Sequence, residues 1–192
     1  IEVVNELKGV GKNLQDHLMF RPVYKLKNIK SLNRDIESLY SKFKMGMQYI
    51  FKQSGPITMG ASQVCAFTKS DPSRATPNLQ FHVQPLSTDI LGVTSMHDFE
   101  GITPTVANIR PTSRGEINIS SSDSRDNPKI KMNYLSTEDD RIVAAKSLKL
   151  VRKIMLETRT FKKYQPEEYR PGVHITDDEE LVKAGSDFTQ TI

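Results

Sequence analysis

The feature that most constrains the fold is a group of three strand-like segments in the middle of the chain. They read ASQVCAFTKS, NLQFHVQPLS and TVANIRPTS, and turns containing Pro or Gly separate them. Helical patterns lie outside this group, before it and in the last third of the chain. Strands that cluster in this way predict an α+β fold rather than alternating βαβ units.

Further segments extend the sheet. LMFRPVYKLK, Leu18 to Lys27, predicts a strand that carries Pro22 and therefore lies near a sheet edge. GEINIS and KIKMNY predict two short strands, and the turn-rich SSDSRDNP joins them as a hairpin-like connection. The predicted fold class is α+β, with a largely antiparallel sheet of about five to six strands packed on helices.

Helical periodicity appears in three places. Residues 33–53 predict one amphipathic helix that begins at Ser31 or Asn33 and ends at Gly55-Pro56, and its stripe of Met and aromatic residues predicts core packing. STEDDRIVAAKSLKLVRKIM has a cap and an acidic first turn, and TDDEELVKAGSDF repeats that opening with Thr176 as N-cap. The core stripe expected of the second helix is Ile142, Ala145, Leu148, Val151 and Met155.

Composition excludes several classes of protein. A chain of 192 residues suits one domain, or one domain plus a fragment of another, and no apolar run approaches the ~18 residues of a membrane span. Its net charge of +4 is spread among 23 acidic residues, which favours a solvated surface over a nucleic-acid interface. A single cysteine, Cys65, excludes a disulfide framework and favours a cytoplasmic location, with peripheral membrane association left open.

The stretch GVGKNLQDHL, residues 9–18, resembles nucleotide motifs without matching either of them. Leu14 stands where the dinucleotide fingerprint needs its third glycine, and Glu6 and Asn13 break the P-loop pattern. The segment therefore predicts a structural glycine turn capped by Asn13 or Asp16. The four histidines and Cys65 share no metal-ligand spacing, so no metal site is expected. No G-x-S-x-G elbow is present.

Alternation along the central strands predicts one polar sheet face. Because alternate residues of a strand share a face, Gln80, His82 and Gln84 lie on one side, and Leu79, Phe81 and Val83 lie on the other. By the same rule Gln63, Cys65 and Phe67 point one way. The polar face could meet either solvent or a ligand.

Six motifs in order resemble one enzyme family. GVGKNLQDHL, GPITMGASQVCAF, PNLQFHVQPLS, RPTSRGEINISSSD, NPKIKMNYLSTEDD and RPG followed by TDDEEL are similar to segments of the glucose–methanol–choline family of flavin-dependent alcohol oxidoreductases. The likeness runs from Ile1 to Ile192 and is greatest to bacterial choline-dehydrogenase-like sequences.

The resemblance implies which parts of the chain contact the flavin domain and which bind substrate. Residues 1–17 correspond to the junction with the flavin domain, and residues 18–192 correspond to a substrate-binding domain. It places Asn13, Asp16 and His17 near the flavin. Gln63, Cys65, His82 and Arg110 are the candidates for the substrate pocket, although Arg110 could instead pair with a carboxylate such as Glu116. The family's dinucleotide-binding glycines precede this segment and its catalytic histidine follows it.

Several expectations follow from the resemblance. The intact parent uses FAD to oxidise a small alcohol, whereas this piece binds no flavin, carries no catalytic residue and is inactive alone. Its expected partners are the alcohol and the parent's flavin domain, and its apolar Val10, Leu14 and Leu18 are exposed when that domain is absent. The alternative is a binding or interaction module of the same shape without chemistry.

The resemblance also bears on the alcohol. Choline-oxidising members of the family carry a glutamate in the strand similar to QVCAF, where this sequence has Cys65 between Val64 and Ala66. A thiol cannot replace the hydration that a quaternary ammonium loses on binding. The parent is therefore expected to prefer an uncharged primary alcohol to choline.

Overall fold

The computed structural model describes residues 4–60, 62–90 and 92–191. Its strands are β1 (Lys12–Leu14), β2 (Leu18–Phe20), β3 (Val23–Lys25), β4 (Val64–Thr68), β5 (Leu79–Gln84), β6 (Gly101–Asn108), β7 (Gly115–Asn118), β8 (Lys129–Lys131), β9 (Glu167–Arg170) and β10 (Thr189–Thr191). Its helices are α1 (Leu32–Glu37), α2 (Leu39–Lys52), α3 (Glu138–Glu157), α4 (Arg159–Lys162) and α5 (Asp178–Ser186), with a 3₁₀ turn at Pro56–Thr58. The expected α+β class is confirmed.

The larger sheet has seven strands, and all of its pairings are antiparallel. Strand β6 lies at its centre, with β5 and then β4 on one side and β2 and β3 end to end on the other. Beyond them, β10 pairs with β2, and β9 pairs with β3. The smaller sheet, β1-β7-β8, contains the expected hairpin between GEINIS and KIKMNY.

The expectation of one edge strand from Leu18 to Lys27 is wrong. The segment forms two strands that lie inside the sheet: β2 lies between β6 and β10, and β3 lies between β6 and β9. Met19 of β2 pairs with Ala107, and Tyr24 of β3 pairs with Ile102. Both strands therefore keep the same register against β6, which places Pro22, between β2 and β3, opposite Pro104. Because neither proline has an N–H, the ladder is interrupted there while the strand direction continues.

The core forms where α3 packs across one face of the larger sheet. Thr137 caps α3 by accepting a bond from the Asp140 N–H, and the first turn is acidic, as expected. Leu148, Val151 and Met155 are buried against a cluster that includes Leu79, Phe81 and Val106. Each such side chain contributes about 2 kcal/mol by leaving water.

Two details of the helical prediction are wrong. Ile142, expected in the core stripe of α3, is 44% exposed because it lies at the border of the buried face. Asp177, not Thr176, caps α5, because its carboxylate accepts bonds from the Glu179 and Glu180 N–H groups. An aspartate at this position also complements the positive end of the helix dipole.

The predicted helix over residues 33–53 is two helices, and its apolar stripe is not core. Ser31 caps α1 as expected, but Ser38 ends α1 and caps α2 through a bond from the Ser41 N–H. Among the described residues, helix α2 packs mainly against α1 and the 3₁₀ turn, and its opposite face points to solvent. The exposed apolar side chains of that face are Leu39, Tyr40, Phe43, Met47, Ile50 and Phe51.

The N-terminal segment is partly as expected. Val10 is exposed, whereas Leu14 and Leu18 are half-buried, and Leu18 packs against the main core. No helix in the part of the chain that the structure describes is long and apolar enough to cross a membrane.

Candidate functional site

The two faces of the larger sheet differ sharply in chemistry. Leu79, Phe81 and Val106 point towards α3, as the alternation predicted for the first two. Their strand neighbours Gln80, His82 and Gln84 point the other way. We call this second side, with Arg21, Cys65, Gln80, His82, Gln84, Thr103 and Thr105, the polar face.

One row of side chains crosses the polar face from an exposed edge to a buried end. Cys65 pairs with His82, and His82 pairs with Thr105. The register of β2 against β6 places Arg21 next in this row, opposite Thr105. Cys65 is exposed, His82 is half-buried, and Arg21 is only 4% exposed.

Local hydrogen bonds fix the exposed end of the row. The Gln80 amide donates to the Cys65 Sγ across 3.6 Å, and Thr105 Oγ1 donates to the His82 carbonyl across 2.7 Å. Gln63 is exposed and donates from Nε2 to the Met59 Sδ across 3.3 Å. The structure therefore places Cys65 and His82 side by side, with Gln63 near them on the same edge.

At its buried end the polar face carries an arginine that sequence reasoning missed. Arg21 Nη2 donates to Gln84 Oε1 across 3.2 Å, and Gln84 Nε2 donates to Ser62 Oγ across 3.3 Å. Burial lowers the pKa of Arg21 from its ordinary value. The available sequence signal was a charged residue inside the otherwise apolar run MFRPVY.

Arg110 lies apart from Cys65 and His82, at the end of β6. It lines an open cleft of about 610 Å³ together with Gln15, Asp16 and His17. The alternative that Arg110 pairs with Glu116 is wrong, because Glu116 binds Lys12 Nζ at 2.6 Å. Arg110 Nε instead donates to the Pro77 carbonyl across 3.4 Å. The predicted site residues therefore form two groups, not one.

Asp16 connects three parts of this region. Its carboxylate accepts bonds from the Tyr134 hydroxyl, from Thr191 Oγ1 and, at 2.8 Å, from the His17 N–H. Burial raises the pKa of Asp16, but these bonds outweigh it, so the pKa lies below its ordinary value. Burial and the Asp16 bond raise the pKa of Tyr134 to about 12. This network ties β10 and the turn after β8 to the segment before β2.

The Gly9–Gly11 turn has a structural role. Gly11 has φ +75°, and a Cβ there would lie 2.4 Å from the Ile117 carbonyl oxygen, so only glycine fits. The turn leads into strand β1, in which Asn13 is exposed with φ 59°. A dinucleotide-binding turn leads into a helix N-terminus, so the Gly9–Gly11 turn does not fit an FAD phosphate site. No cluster of possible metal ligands occurs among the described residues.

A family model and the curated relatives of this chain indicate the same family. Residues 111–192 match the family model described as GMC oxidoreductase. The oxygen-dependent choline dehydrogenase of Pectobacterium carotovorum is 33% identical over 94% of this chain and 32% of its own length. That of Chromohalobacter salexigens is 34% identical over the same shares. The chain thus spans about a third of the length of the curated relatives that it matches.

Solved structures agree at the level of the fold. Formate oxidase of Aspergillus oryzae superposes with a TM-score of 0.81 at 19% identity, over 95% of this chain and 36% of that one. Pyridoxine 4-oxidase of Mesorbium loti gives 0.76 at 18% identity, over 100% and 33%. With the family match and the choline dehydrogenase relatives, the conclusion is direct: this chain belongs to the GMC oxidoreductase family.

Proposed function

We propose that this chain is the substrate-binding region of a FAD-dependent alcohol oxidoreductase. One observation carries the proposal: the larger sheet has one face packed on α3 and a second face lined with hydrogen-bonding side chains in a cross-strand row. A packed sheet with a polar face suits a wall that orients a small molecule and excludes water. The flavin, held by residues outside this chain, would accept the hydride that the alcohol loses.

The chain's own residues would bind and orient in this proposal. Cys65, His82 and Gln63 would contact the alcohol from the exposed end of the row. Asn13, His17 and Arg110 would face the flavin domain around the open cleft. Asp16 would act there by holding its segment in place, because its oxygens are already bonded within the domain. The general base would come from outside these residues.

The location of the whole protein is also a proposal. A single, exposed cysteine suits a reducing compartment, which supports the cytoplasm. Peripheral association with a membrane is the alternative, and fractionation of cells that express the full-length protein separates the two.

Activity of a full-length protein that contains this chain tests the function. We expect purified, FAD-loaded protein to oxidise a primary alcohol with an artificial electron acceptor. His82→Asn should lower kcat/KM by about tenfold without changing flavin content, because a positioned hydrogen bond in a dry site is worth about 1–3 kcal/mol. His174→Asn, in the exposed loop before α5, is the matched control and should change nothing. Absence of turnover with every alcohol would favour the non-catalytic binding module.

Substrate charge gives a second test of the same site. The relatives named above are choline dehydrogenases, but the residue that β4 presents beside His82 is Cys65, which carries no carboxylate. We expect a lower kcat/KM for choline than for an uncharged primary alcohol. Cys65→Glu should raise activity on choline relative to that alcohol, and Cys65→Gln is the uncharged control. Choline as the better substrate of the unaltered protein would contradict this expectation.

A further inference from the structure

Unsatisfied polar atoms concentrate at one place on the polar face. In residues 4–60, 62–90 and 92–191, the buried side-chain nitrogen or oxygen atoms without a hydrogen-bond partner are Arg21 Nε, Arg21 Nη1 and His82 Nε2. Arg21 and His82 flank Thr105 in the cross-strand row. Buried polar groups in folded proteins nearly always have partners, so a group of three such atoms points to a missing ligand.

Arg21 carries a positive charge that nothing in the described chain neutralises. Its side chain is in no ion pair among those residues, and its single bond goes to the neutral amide of Gln84. A guanidinium stays protonated in proteins, so it cannot escape the cost of burial by losing a proton. An unpaired buried charge is strongly destabilising, whereas a buried charge with a hydrogen-bonded counter-ion is tolerated.

The neighbours of Arg21 leave two of its three guanidinium nitrogens without a hydrogen-bond partner. Gln84 is held by Ser62, so its oxygen stays turned towards Arg21 Nη2. Thr103 and Thr105 lie on the central strand between β2 and β5, and their hydroxyls are used by the carbonyls of Leu86 and His82. The free donors are thus Arg21 Nε and Nη1, with His82 Nε2 in the same row.

From this arrangement we infer that Arg21, with His82, binds a carboxylate, and that the alcohol oxidised by the parent enzyme is a hydroxy acid. The inference rests on the proposed function, whose substrate class it specifies. A carboxylate supplies the negative charge and the acceptor lone pairs that Arg21 and His82 lack. The competing occupant is an Asp or Glu from another part of the full-length protein.

The test compares two substrates that differ in charge. The FAD-loaded, full-length protein is assayed with 4-hydroxybutanoate and with its amide, 4-hydroxybutanamide. We expect kcat/KM to be higher for the carboxylate by at least about tenfold, the size of a charge-assisted hydrogen bond. Arg21→Met should reduce this ratio to about one. Arg159→Met, an exposed arginine on α4, is the control and should keep the ratio.

A binding measurement separates this inference from the proposed function. Butanoate, which cannot be oxidised, is titrated into the same protein while the flavin absorbance is followed. Saturable binding that Arg21→Lys weakens and Arg21→Met abolishes supports the carboxylate site even if no alcohol is turned over. If Arg21→Met does not fold, Arg21→Lys and the wild-type titration decide. A wild-type protein that prefers the amide, or that does not bind butanoate, overturns the inference and assigns Arg21 to an internal ion pair.

Discussion

The ion pair between Arg152 and Glu168 gives a sharp prediction about stability. Arg152 Nε and Nη2 bind the two Glu168 oxygens at 2.8 and 2.9 Å, which joins α3 to β9. The same guanidinium donates to the carbonyls of Ile175 and Gly172 across 3.0 and 3.3 Å. The Glu168 side chain is 1% exposed and that of Arg152 is 18% exposed. Glu168 also lies beside Tyr24, whose pKa rises through burial and this nearby carboxylate.

Arg152→Met should leave a buried carboxylate without its counter-ion. Removal of one partner of a buried pair costs about 3–5 kcal/mol, and we expect the lower end, about 3 kcal/mol, because water can approach through the partly exposed arginine position. For a chain of this size that loss lowers Tm by roughly 6–12 °C. Thermal unfolding of the purified chain, followed by circular dichroism, measures it.

Two further variants separate charge from packing. Arg152→Met combined with Glu168→Gln should recover part of the loss, because no charge then remains buried. Arg125→Met removes a similar two-pronged pair with Asp123, at 3.0 and 2.6 Å, but that pair is on the surface. It should leave Tm unchanged. A small effect of Arg152→Met, or no recovery in the double variant, would refute the reasoning.

Three other predictions follow from the fold. Leu148→Ala should cost about 2–5 kcal/mol in denaturant unfolding, whereas Ile142→Ala, at an exposed position of the same helix, should cost far less. The pKa of Asp140 is lowered: burial raises it, but bonds from Ser113 and Thr112 outweigh this. Ionised Asp140 therefore stabilises the fold at pH values above the pKa of the unfolded carboxyl, and this stability is lost as pH falls through the lower pKa of the folded state. In an acid titration, the free energy of unfolding of Asp140→Asn should fall less than that of the wild type. The purified 192-residue chain should be colourless and should leave the fluorescence of added FAD unquenched, because its glycine turn leads into a strand rather than into the helix N-terminus that binds a phosphate. A preparation that contains stoichiometric flavin would contradict this.

Local pattern predicted most of the elements, and tertiary context decided where it failed. The cap and acidic first turn of α3, the choice of Ser31 as one of two candidate caps of α1, and the β7-β8 hairpin all depend on neighbours in sequence, and the structure confirms them. The exposure of the apolar stripe of α2 was not predicted, because periodicity identifies an apolar face but does not show what covers it. Pro22 was placed at an edge because a proline cannot donate to a ladder, and the sequence does not show that the residue opposite is Pro104.

Local sequence pattern could suggest Cys65 and His82 as site residues, but it could not suggest Arg21. Alternation within one strand shows which residues share a face, so the side chains of β4 and β5 could be grouped without knowing their partners. Arg21 joins them only through the register of β2 against β6, a pairing between residues more than eighty positions apart. A shift of one residue would turn Arg21 towards α3 and into the apolar core. The placement of Arg21 in the same cross-strand row as His82 therefore depends on strand pairing, and no local sequence motif predicts the positive charge on the polar face.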